Sequence, residues 1–153
     1  MRRKDRQCST EEALEILDSA VFGVLSMVDD GKPYCVPLNF VRDGNVLIFH
    51  CALQGRKIDI LRQTPDVVFC TAGQHSLDHS EPLVFSAIYS SVIVFGTAEI
   101  IEDKSRKIDD LIKLTAKYFP ESSEDAAAAA NIRCEKTCVV EIIMGTITGK
   151  KGH

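Results

Sequence analysis

Three apolar, β-branched runs follow one another near the N-terminus of this chain with only short turns between them. They cover residues 22–28, 33–41 and 46–51, and the connections read Asp-Asp-Gly-Lys and Arg-Asp-Gly-Asn. Turns of this type favour β-hairpins, whereas a parallel crossover needs about a dozen residues or more. We therefore predict a three-stranded antiparallel meander and exclude a doubly wound parallel sheet.

The rest of the chain combines further strand patterns with amphipathic helices. Ser9 followed by Glu12 predicts the capped start of a first helix. Further strands are predicted over residues 66–72, 83–101 (one strand, or two joined at 89–91) and 138–147. Two more helices are predicted over residues 56–63 and 103–119. Residues 73–82 are predicted to form a polar loop, and residues 148–153 a basic tail. This order favours one domain, residues 1–153, mainly β with flanking helices, in a closed or split antiparallel, Greek-key-like β-barrel.

Charge and composition limit the possible partners. The chain has 18 basic and 22 acidic residues, so no overall positive field attracts nucleic acid or an anionic membrane. No apolar run reaches bilayer length and no secretory signal follows the basic N-terminus, so we expect a cytoplasmic protein. Six scattered cysteines indicate reduced core thiols, and neither Cys134 with Cys138 nor His75 with His79 predicts a metal site.

The segment over residues 47–61 contains a strand, a basic loop with a glycine and a short helix. Gly55 lets the backbone come close to a ligand, Arg56 and Lys57 supply positive charge, and the first amides of the helix point toward an anion. This combination predicts a phosphate-binding cradle. The alternative is a solvated strand-to-helix turn whose two basic side chains point into water.

A second unusual segment is the strand over residues 33–40. Pro37 removes a ladder donor from it, and Asn39 is polar in an apolar setting. The functional interpretation is that backbone groups near Leu38 and the Asn39 amide hydrogen-bond a planar heterocycle laid against the strand. The alternative is an ordinary edge strand.

Two other places offer polar groups beside apolar runs. His50 ends its strand just before the cradle, where it can donate to a phosphate or to a bound cofactor, or be an ordinary hydrogen-bonded histidine. Tyr89, Ser90 and Ser91 either bind a ligand, from a second subunit in one arrangement, or form a bulge whose hydroxyls bond locally. No catalytic triad order, P-loop or paired-carboxylate site occurs, so we expect a cofactor to supply any chemistry.

Six segments, taken in order, resemble those of one family. They are residues 1–6, 33–40 apart from Cys35, 49–52, 55–57, 89–92 and 147–150. The family is the flavin-nucleotide-binding group related to pyridoxamine 5'-phosphate oxidase, and within it the 5-nitroimidazole resistance (Nim-like) proteins. The resemblance spans nearly the whole chain. It implies a split β-barrel homodimer that binds FMN, with FAD as the alternative, in clefts between the subunits.

The resemblance also implies roles for the residues of the cradle. Arg56 and Lys57 would hold the phosphate, with His50 and Gly55 shaping its approach. Cys51 departs from the expected pattern, in which a smaller residue such as glycine stands. It would narrow the loop or make it sensitive to oxidation.

Two strands would complete the implied site. The ribityl chain and isoalloxazine ring would lie along Val36, Pro37, Leu38, Asn39 and Phe40. Further contacts would come from Tyr89, Ser90 and Ser91, across the dimer in one arrangement, with Lys150 as an additional contact.

The expected function is that of an FMN-dependent oxidoreductase. Electrons would pass from a reduced nicotinamide through the flavin to a small acceptor such as a nitroaromatic compound, with His50 as the catalytic proton donor. One alternative is a non-catalytic flavin or haem carrier or a redox sensor. Another is a binding module for a different phosphate-bearing ligand, such as pyridoxal phosphate or a deazaflavin.

Overall fold

The computed structural model describes residues 2–79, 81 and 85–152, whose strands form one antiparallel sheet. The strands are β1 (Gly23–Asp29), β2 (Lys32–Leu38), β3 (Val41–Asp43), β4 (Val46–Cys51), β5 (Asp66–Asp78), β6 (Ser86–Ile101) and β7 (Cys138–Gly152). The helices are α1 (Thr10–Ser19), α2 (Arg56–Gln63), α3 (Lys104–Tyr118) and α4 (Ser123–Arg133). The sheet order is β2-β1-β5-β6-β7-β4-β3. The architecture is therefore mainly β with flanking helices, as predicted.

β2 and β3 lie at opposite edges of this sheet, although only Asn39 and Phe40 separate them in sequence. In a flat sheet the two edges would be about 29 Å apart, which is six spacings of about 4.8 Å. The three steps from Leu38 to Val41 span at most about 11 Å, so the sheet has to curl until its edges approach each other. No ladder joins β2 to β3 among the described residues. The fold is thus an open, split β-barrel, which confirms the prediction.

The predicted three-stranded meander is wrong. β1 with β2 and β3 with β4 form two separate hairpins, and β4 pairs with β7 on its other side. The break falls at Phe40, whose fully buried ring lies 4.7 Å from that of Phe69. The Phe40 amide donates to the Tyr118 hydroxyl at 2.9 Å. A helix residue thus takes the bond that a continuous strand would have given to its neighbour.

The polar segment that begins at Gly73 belongs to the sheet, so the loop predicted there is wrong as far as Asp78. β5 continues to Asp78 because β6 supplies backbone partners along it, with Tyr89 opposite His75. A register shift between the two strands lies just before His75 and absorbs the irregular sequence. The rest of the predicted loop, apart from residues 79 and 81, lies outside the described residues.

The two longest remaining strands also differ from prediction at their ends. β6 is one continuous strand from Ser86, and the predicted start at residues 83–84 lies outside the described residues. β7 extends to Gly152, through the segment predicted as a basic tail. It does so because β6 pairs with it, with Ser91 opposite Lys150.

The helices α1 and α3 begin close to their predicted starts, each after a residue whose side chain caps it. The Ser9 hydroxyl accepts from the Glu12 amide at 3.2 Å, and the Glu12 carboxylate accepts from the Ser9 amide at 2.9 Å. The Asp103 carboxylate caps α3 with a single hydrogen bond, which it accepts from the Arg106 amide at 2.8 Å. No helix in the described ranges has the length and apolarity needed to cross a bilayer.

Alternation along β4 separates two apolar layers. Leu47 and Phe49 point into the barrel core, which α2 closes with its buried face. Ile48 points the other way, into a second cluster with Leu111 and Leu114 of α3. The helices α3 and α4 therefore cover the outer face of β4, on the side where His50 also projects.

Candidate functional site

The end of β4 leads directly into the predicted cradle. Gly55 has a φ of +133°, a conformation that side-chain-bearing residues rarely adopt, and an added Cβ would meet no atom within 4 Å. Conformation therefore requires glycine here, and the space beside the backbone is open. The Gly55 carbonyl accepts from the amides of Ile58 (2.8 Å) and Asp59 (3.1 Å). Helix geometry leaves the amides of Arg56 and Lys57 at the open N-terminus of α2 for an external acceptor.

The two basic side chains of the cradle have different surroundings. Arg56 forms an ion pair with Asp29 at 2.8 Å, and its guanidinium carbon lies 4.4 Å from the ring centroid of Tyr34. The Lys57 ammonium lies 5.4 Å from the ring centroid of Phe49 and has no carboxylate within 4.0 Å in the part of the chain that the structure describes. Arg56 is thus oriented and partly neutralised, and Lys57 is the cation available to a phosphate.

His50 projects into a cavity of about 510 Å³ between β4 and the helices α3 and α4. The walls include Leu111, Tyr118, Arg133 and Thr137. Desolvation by these walls, followed by the charges of Lys57 and Arg133, lowers the pKa of His50. The imidazole is therefore neutral at pH 7, with one nitrogen that donates and one that accepts. It can exchange a proton with a molecule in the cavity.

The strand predicted to carry a planar ring is an edge strand. Pro37 has its partner, Val24, on one side only, which is the position that proline tolerates in a sheet. Val36 and Leu38 are half-buried and pack against the barrel core. The other edge of β2 therefore exposes backbone groups that a ligand can use.

The two residues after β2 differ in what they can offer. Asn39 is exposed and lines the same cavity as His50, and its amide donates to the Val21 carbonyl at 3.3 Å. Phe40 is fully buried, so it presents no exposed group to a ligand. Tyr118 holds the Phe40 backbone: its hydroxyl accepts from the Phe40 amide at 2.9 Å and lies 2.7 Å from the Val21 carbonyl oxygen.

Tyr89, Ser90 and Ser91 are distant from the cradle within one chain. Ser91 lies opposite Lys150, whereas His50 lies level with Ile101 at the far end of β6. Ten residues of strand separate the two levels, which corresponds to about 33 Å. The structure therefore does not bring these residues to His50 and Lys57 in one chain, and a shared site would need a second copy.

The polar groups on that distant part of the sheet have local contacts. Tyr89 accepts from Arg6 at 3.4 Å, and the Lys150 ammonium lies 5.2 Å from its ring centroid. Ser90 is buried against Gly73, where an added Cβ would lie 2.3 Å from the serine hydroxyl. His79 stacks on Phe85. Within residues 2–79, 81 and 85–152 no group of three or more potential ligand side chains could hold a metal ion.

Apart from Asn39 and His50, the residues that line the cavity could not be predicted from the sequence, and they include Tyr118, Arg133 and Thr137. These three belong to α3, to the end of α4 and to the segment before β7, about 70 to 90 residues after His50 in the sequence. No local pattern connects them to His50, because only the packing of the two helices on β4 brings them together. Arg133 stands out only as a basic residue at a helix end, which is common on any surface.

Comparison with known proteins gives one family and many similar structures. The pyridoxamine 5'-phosphate oxidase family matches residues 9–151. No curated protein sequence matches the chain. A candidate 5-nitroimidazole antibiotic resistance protein from Bacteroides thetaiotaomicron is 24% identical, with a TM-score of 0.81 over 94% of this chain and 84% of that one.

Two other similar structures bind redox cofactors, according to their names. The flavocytochrome Anf3 from Azotobacter vinelandii is 21% identical, with a TM-score of 0.86 over 100% of this chain and 72% of that one. The FAD and heme binding protein from Mycobacterium smegmatis is 22% identical, with a TM-score of 0.85 over 97% and 74% of the two chains. At such identities the likeness shows a shared fold.

Proposed function

Because the chain belongs to the pyridoxamine 5'-phosphate oxidase family, we propose that it binds a flavin nucleotide, FMN before FAD, and acts as an oxidoreductase. The observation that carries the proposal is the cradle at the start of α2. There an open, positive-φ glycine precedes two free helix amides and two cations. Each of these features can bind a phosphate group, and all of them lie in the same loop.

The residues present fit the phosphate end of such a cofactor. Lys57 would supply the main charge, and the amides at the start of α2 would donate to the phosphate oxygens. Arg56 would contribute less than a free arginine, since Asp29 already binds its Nε at 2.8 Å. Lys57 remains the cation of the cradle with no carboxylate within 4.0 Å among the described residues.

When bound, a flavin takes two electrons from a donor and passes them to an acceptor. The chain's own residues would bind, orient and exchange protons. The open edge of β2 and the exposed Asn39 would orient the ring, and the buried Phe40 would keep that edge rigid. His50 would exchange a proton with the acceptor in the cavity beneath α3 and α4, and we propose it as the catalytic residue.

We further propose that the protein is a homodimer. Val28, Ile93, Phe95 and Ile143 are 42 to 51% exposed on the outer face of the barrel, while at least one chain neighbour of each is buried inside it. A contiguous exposed apolar face of this kind is typical of an interface. A second copy on this face would also supply the Tyr89, Ser90 and Ser91 segment that one chain cannot bring to its own cradle.

The acceptor is proposed to be a small nitroaromatic compound of the 5-nitroimidazole type, with a reduced nicotinamide as electron donor. The structural likeness to the Bacteroides protein supports this Nim-like assignment. The cavity beside His50, with its apolar wall and the cation of Arg133, has room for a planar molecule of that size.

A second candidate is a non-catalytic flavin or haem carrier, or a redox sensor. It is favoured by the two similar structures that are named as a flavocytochrome and as an FAD and heme binding protein. A carrier would bind its cofactor tightly without turning over any pair of reductant and acceptor. A haem-binding protein would take up added haem and show its intense absorption near the violet end of the spectrum.

The first test is titration of the purified protein with FMN and with FAD, followed by flavin fluorescence and visible absorption. We expect FMN to bind, and Lys57→Gln to weaken binding by at least about tenfold, because a charge-assisted bond is worth about 1.5–3 kcal/mol. Arg62→Gln, an exposed cation at the other end of the same helix, is the matched control and should leave affinity unchanged. Failure to bind either flavin would refute the proposal.

The second test is turnover under anaerobic conditions, with reduced nicotinamides as donors and a nitroimidazole as acceptor. We expect flavin-dependent loss of the nitro absorption, and a lower rate in His50→Gln with unchanged FMN affinity. Binding without turnover of any pair would favour the carrier instead.

A further inference from the structure

Cys51 at the end of β4 and Cys138 at the start of β7 lie directly opposite each other on adjacent antiparallel strands. Opposed residues in such a pair have Cα atoms about 4.5–5.5 Å apart and side chains on the same face. A disulfide needs a Cα separation of about 4.4–6.8 Å, so the backbone already has the required geometry. Both side chains belong to the barrel core, since Cys138 is buried in it and Cys51 packs against it.

We propose that Cys51 and Cys138 form a peroxide-oxidisable dithiol that closes into a reversible disulfide beside the cradle. Cys51 is the attacking thiol, because it is half-exposed at the mouth of the barrel and lies next to the Lys57 ammonium. Cys138 is the resolving thiol, because it is buried and lies directly opposite Cys51 on the adjacent strand. Lys57 is a positioning residue that stabilises the Cys51 thiolate.

The electrostatics agree with this assignment. The hydrogen bond from Cys138, and then the charge and hydrogen bond of Lys57, lower the pKa of Cys51 from 9.0 to about 7 against the effect of burial. The thiolate share of Cys51 at neutral pH is therefore larger than that of an ordinary cysteine. Cys51 and burial raise the pKa of Cys138, on which Lys107 and Glu102 act more weakly and in opposite directions. Cys138 thus keeps the proton.

The chemistry balances with a hydroperoxide as the oxidant. The Cys51 thiolate attacks one peroxide oxygen, the O–O bond breaks, and the leaving oxygen departs as water or an alcohol after taking a proton. The Cys138 sulfur then attacks the Cys51 sulfenic acid, so that an S–S bond forms, the S–O bond breaks and water leaves. The two sulfurs lose two electrons and the O–O bond gains them. A thiol reductant reverses the reaction.

The other cysteines give an internal contrast. Cys35 on β2 and Cys70 on β5 are separated by β1, which puts two strand spacings, about 9.6 Å, between them. That separation exceeds the limit for a disulfide. Cys8 and Cys134 are buried elsewhere in the chain. The exposed Cys35 is therefore the natural control thiol.

A consequence follows for the cradle, and it rests on the proposed function. A phosphate bound at Lys57 would compete with the Cys51 thiolate for the same ammonium group. Bound FMN should therefore slow oxidation of Cys51 severalfold. Oxidation is therefore measured on protein without flavin, so that the disulfide proposal and the flavin-binding proposal can fail independently of each other.

The test treats reduced, flavin-free protein with one equivalent of hydrogen peroxide, blocks the remaining thiols and maps the peptides by mass spectrometry. We expect a Cys51–Cys138 cross-link, with a mass loss of about 2 Da that dithiothreitol reverses. Cys35→Ser should form the same cross-link at the same rate. Cys138→Ala should stop at a Cys51 sulfenic acid that dimedone traps. If Cys138→Ala does not fold, the peptide map of the oxidised natural protein still shows whether the Cys51–Cys138 cross-link forms.

Two outcomes would overturn the proposal. The first is that Cys35 is oxidised before Cys51. The second is that no cross-link joins Cys51 to Cys138. The role of Lys57 is tested by the rate: Lys57→Gln should oxidise at least about threefold more slowly at pH 7, and Lys57→Arg should restore the rate, since thiolate share sets reactivity. Equal rates in all three proteins would refute that role.

Discussion

Replacement of Asp110 by asparagine should stabilise the protein near neutral pH, because α3 places this carboxyl against a second one. Asp110 is 1% exposed and Glu141 of β7 is 5% exposed. Arg106 donates to both oxygens of Glu141, at 2.7 and 2.6 Å. Asp110 Oδ1 accepts from Lys113 at 3.3 Å, and Oδ2 has no hydrogen-bond partner among the residues that the structure describes. Asp110 is thus the poorly compensated member of the pair.

The magnitude follows from the shift in pKa. Burial, followed by the hydrogen bond that the protonated form of Asp110 can donate to Glu141, raises the pKa of Asp110 from 3.8 to about 6. The folded chain therefore holds a proton that the unfolded chain loses. This contribution to stability is fully present below about pH 4 and disappears as pH rises through 6, where at about 1.4 kcal/mol per unit it amounts to about 3 kcal/mol at most.

The contribution of Glu141 to stability depends on pH in the opposite direction. Arg106 lowers its pKa, so its contribution is present above about pH 4.5 and is lost on acidification. The two groups therefore act in different pH windows, and the interval from about pH 4.5 to about pH 6 reports mainly on Asp110.

Urea unfolding followed by far-ultraviolet circular dichroism, from about pH 4.5 to about pH 7.5, measures the effect. The natural protein should lose stability across this interval. The free energy of unfolding of Asp110→Asn should change much less with pH. At about pH 7.5 this variant should be more stable than the natural protein by up to about 3 kcal/mol. Asp109→Asn, an exposed neighbour on the same helix, is the control and should follow the natural protein. An Asp110→Asn variant that is less stable than the natural protein at pH 7.5 would refute the argument.

Three further variants test the cradle and the proposed interface. Gly55→Ala should cost about 1–3 kcal/mol in urea unfolding, because φ is +133°, and should weaken FMN binding; an unchanged midpoint would contradict the strain argument. Asp29→Asn should free Arg56 and tighten FMN binding a few-fold in the fluorescence titration, while changing stability by less than about 1 kcal/mol; weaker binding would show that Asp29 orients Arg56 productively. Phe95→Ser should make the proposed dimer monomeric in light scattering, whereas Ile132→Ser, which changes an apolar residue that is 75% exposed on α4, should not.

Features set by neighbouring residues could be predicted from the sequence. The capping box at Ser9 needs only Glu12, and the first hairpin needs only its turn residues. The cradle at Gly55 is likewise local, since a positive φ and two adjacent cations occupy three consecutive positions. In these places the local preference and the final fold agree, so a single sequence contains the information.

Features set by distant residues could not be predicted. The strand through Phe40 breaks because Tyr118, 78 positions later, holds its backbone. The polar residues after Gly73 join a strand because β6 offers a ladder, although their side chains indicate a loop. The cavity at His50 contains Arg133 for the same reason, since helix packing and not sequence spacing brings the two together.

Lys57 acts on titratable groups on both faces of β4 at the end of the strand. Burial, and then the charge of Lys57, lowers the pKa of His50 on the helix face, and Cys138, followed by Lys57, lowers that of Cys51 on the barrel face. A phosphate group bound at Lys57 offsets its charge, so ligand binding should raise the pKa of His50 toward its ordinary value and make it a better proton donor at pH 7. The measurement is an NMR titration of the His50 imidazole, assigned with His50→Gln, with and without FMN.

Lys57→Gln provides the matched control for this titration. Without the ammonium group the pKa of His50 should already be raised in the free protein, and FMN should change it little. A fall in the pKa of His50 on FMN binding to the natural protein would show that the phosphate does not lie at Lys57. Equal pKa values in the natural protein and in Lys57→Gln would show that burial and Arg133 alone set the imidazole, and that the two faces of β4 are independent.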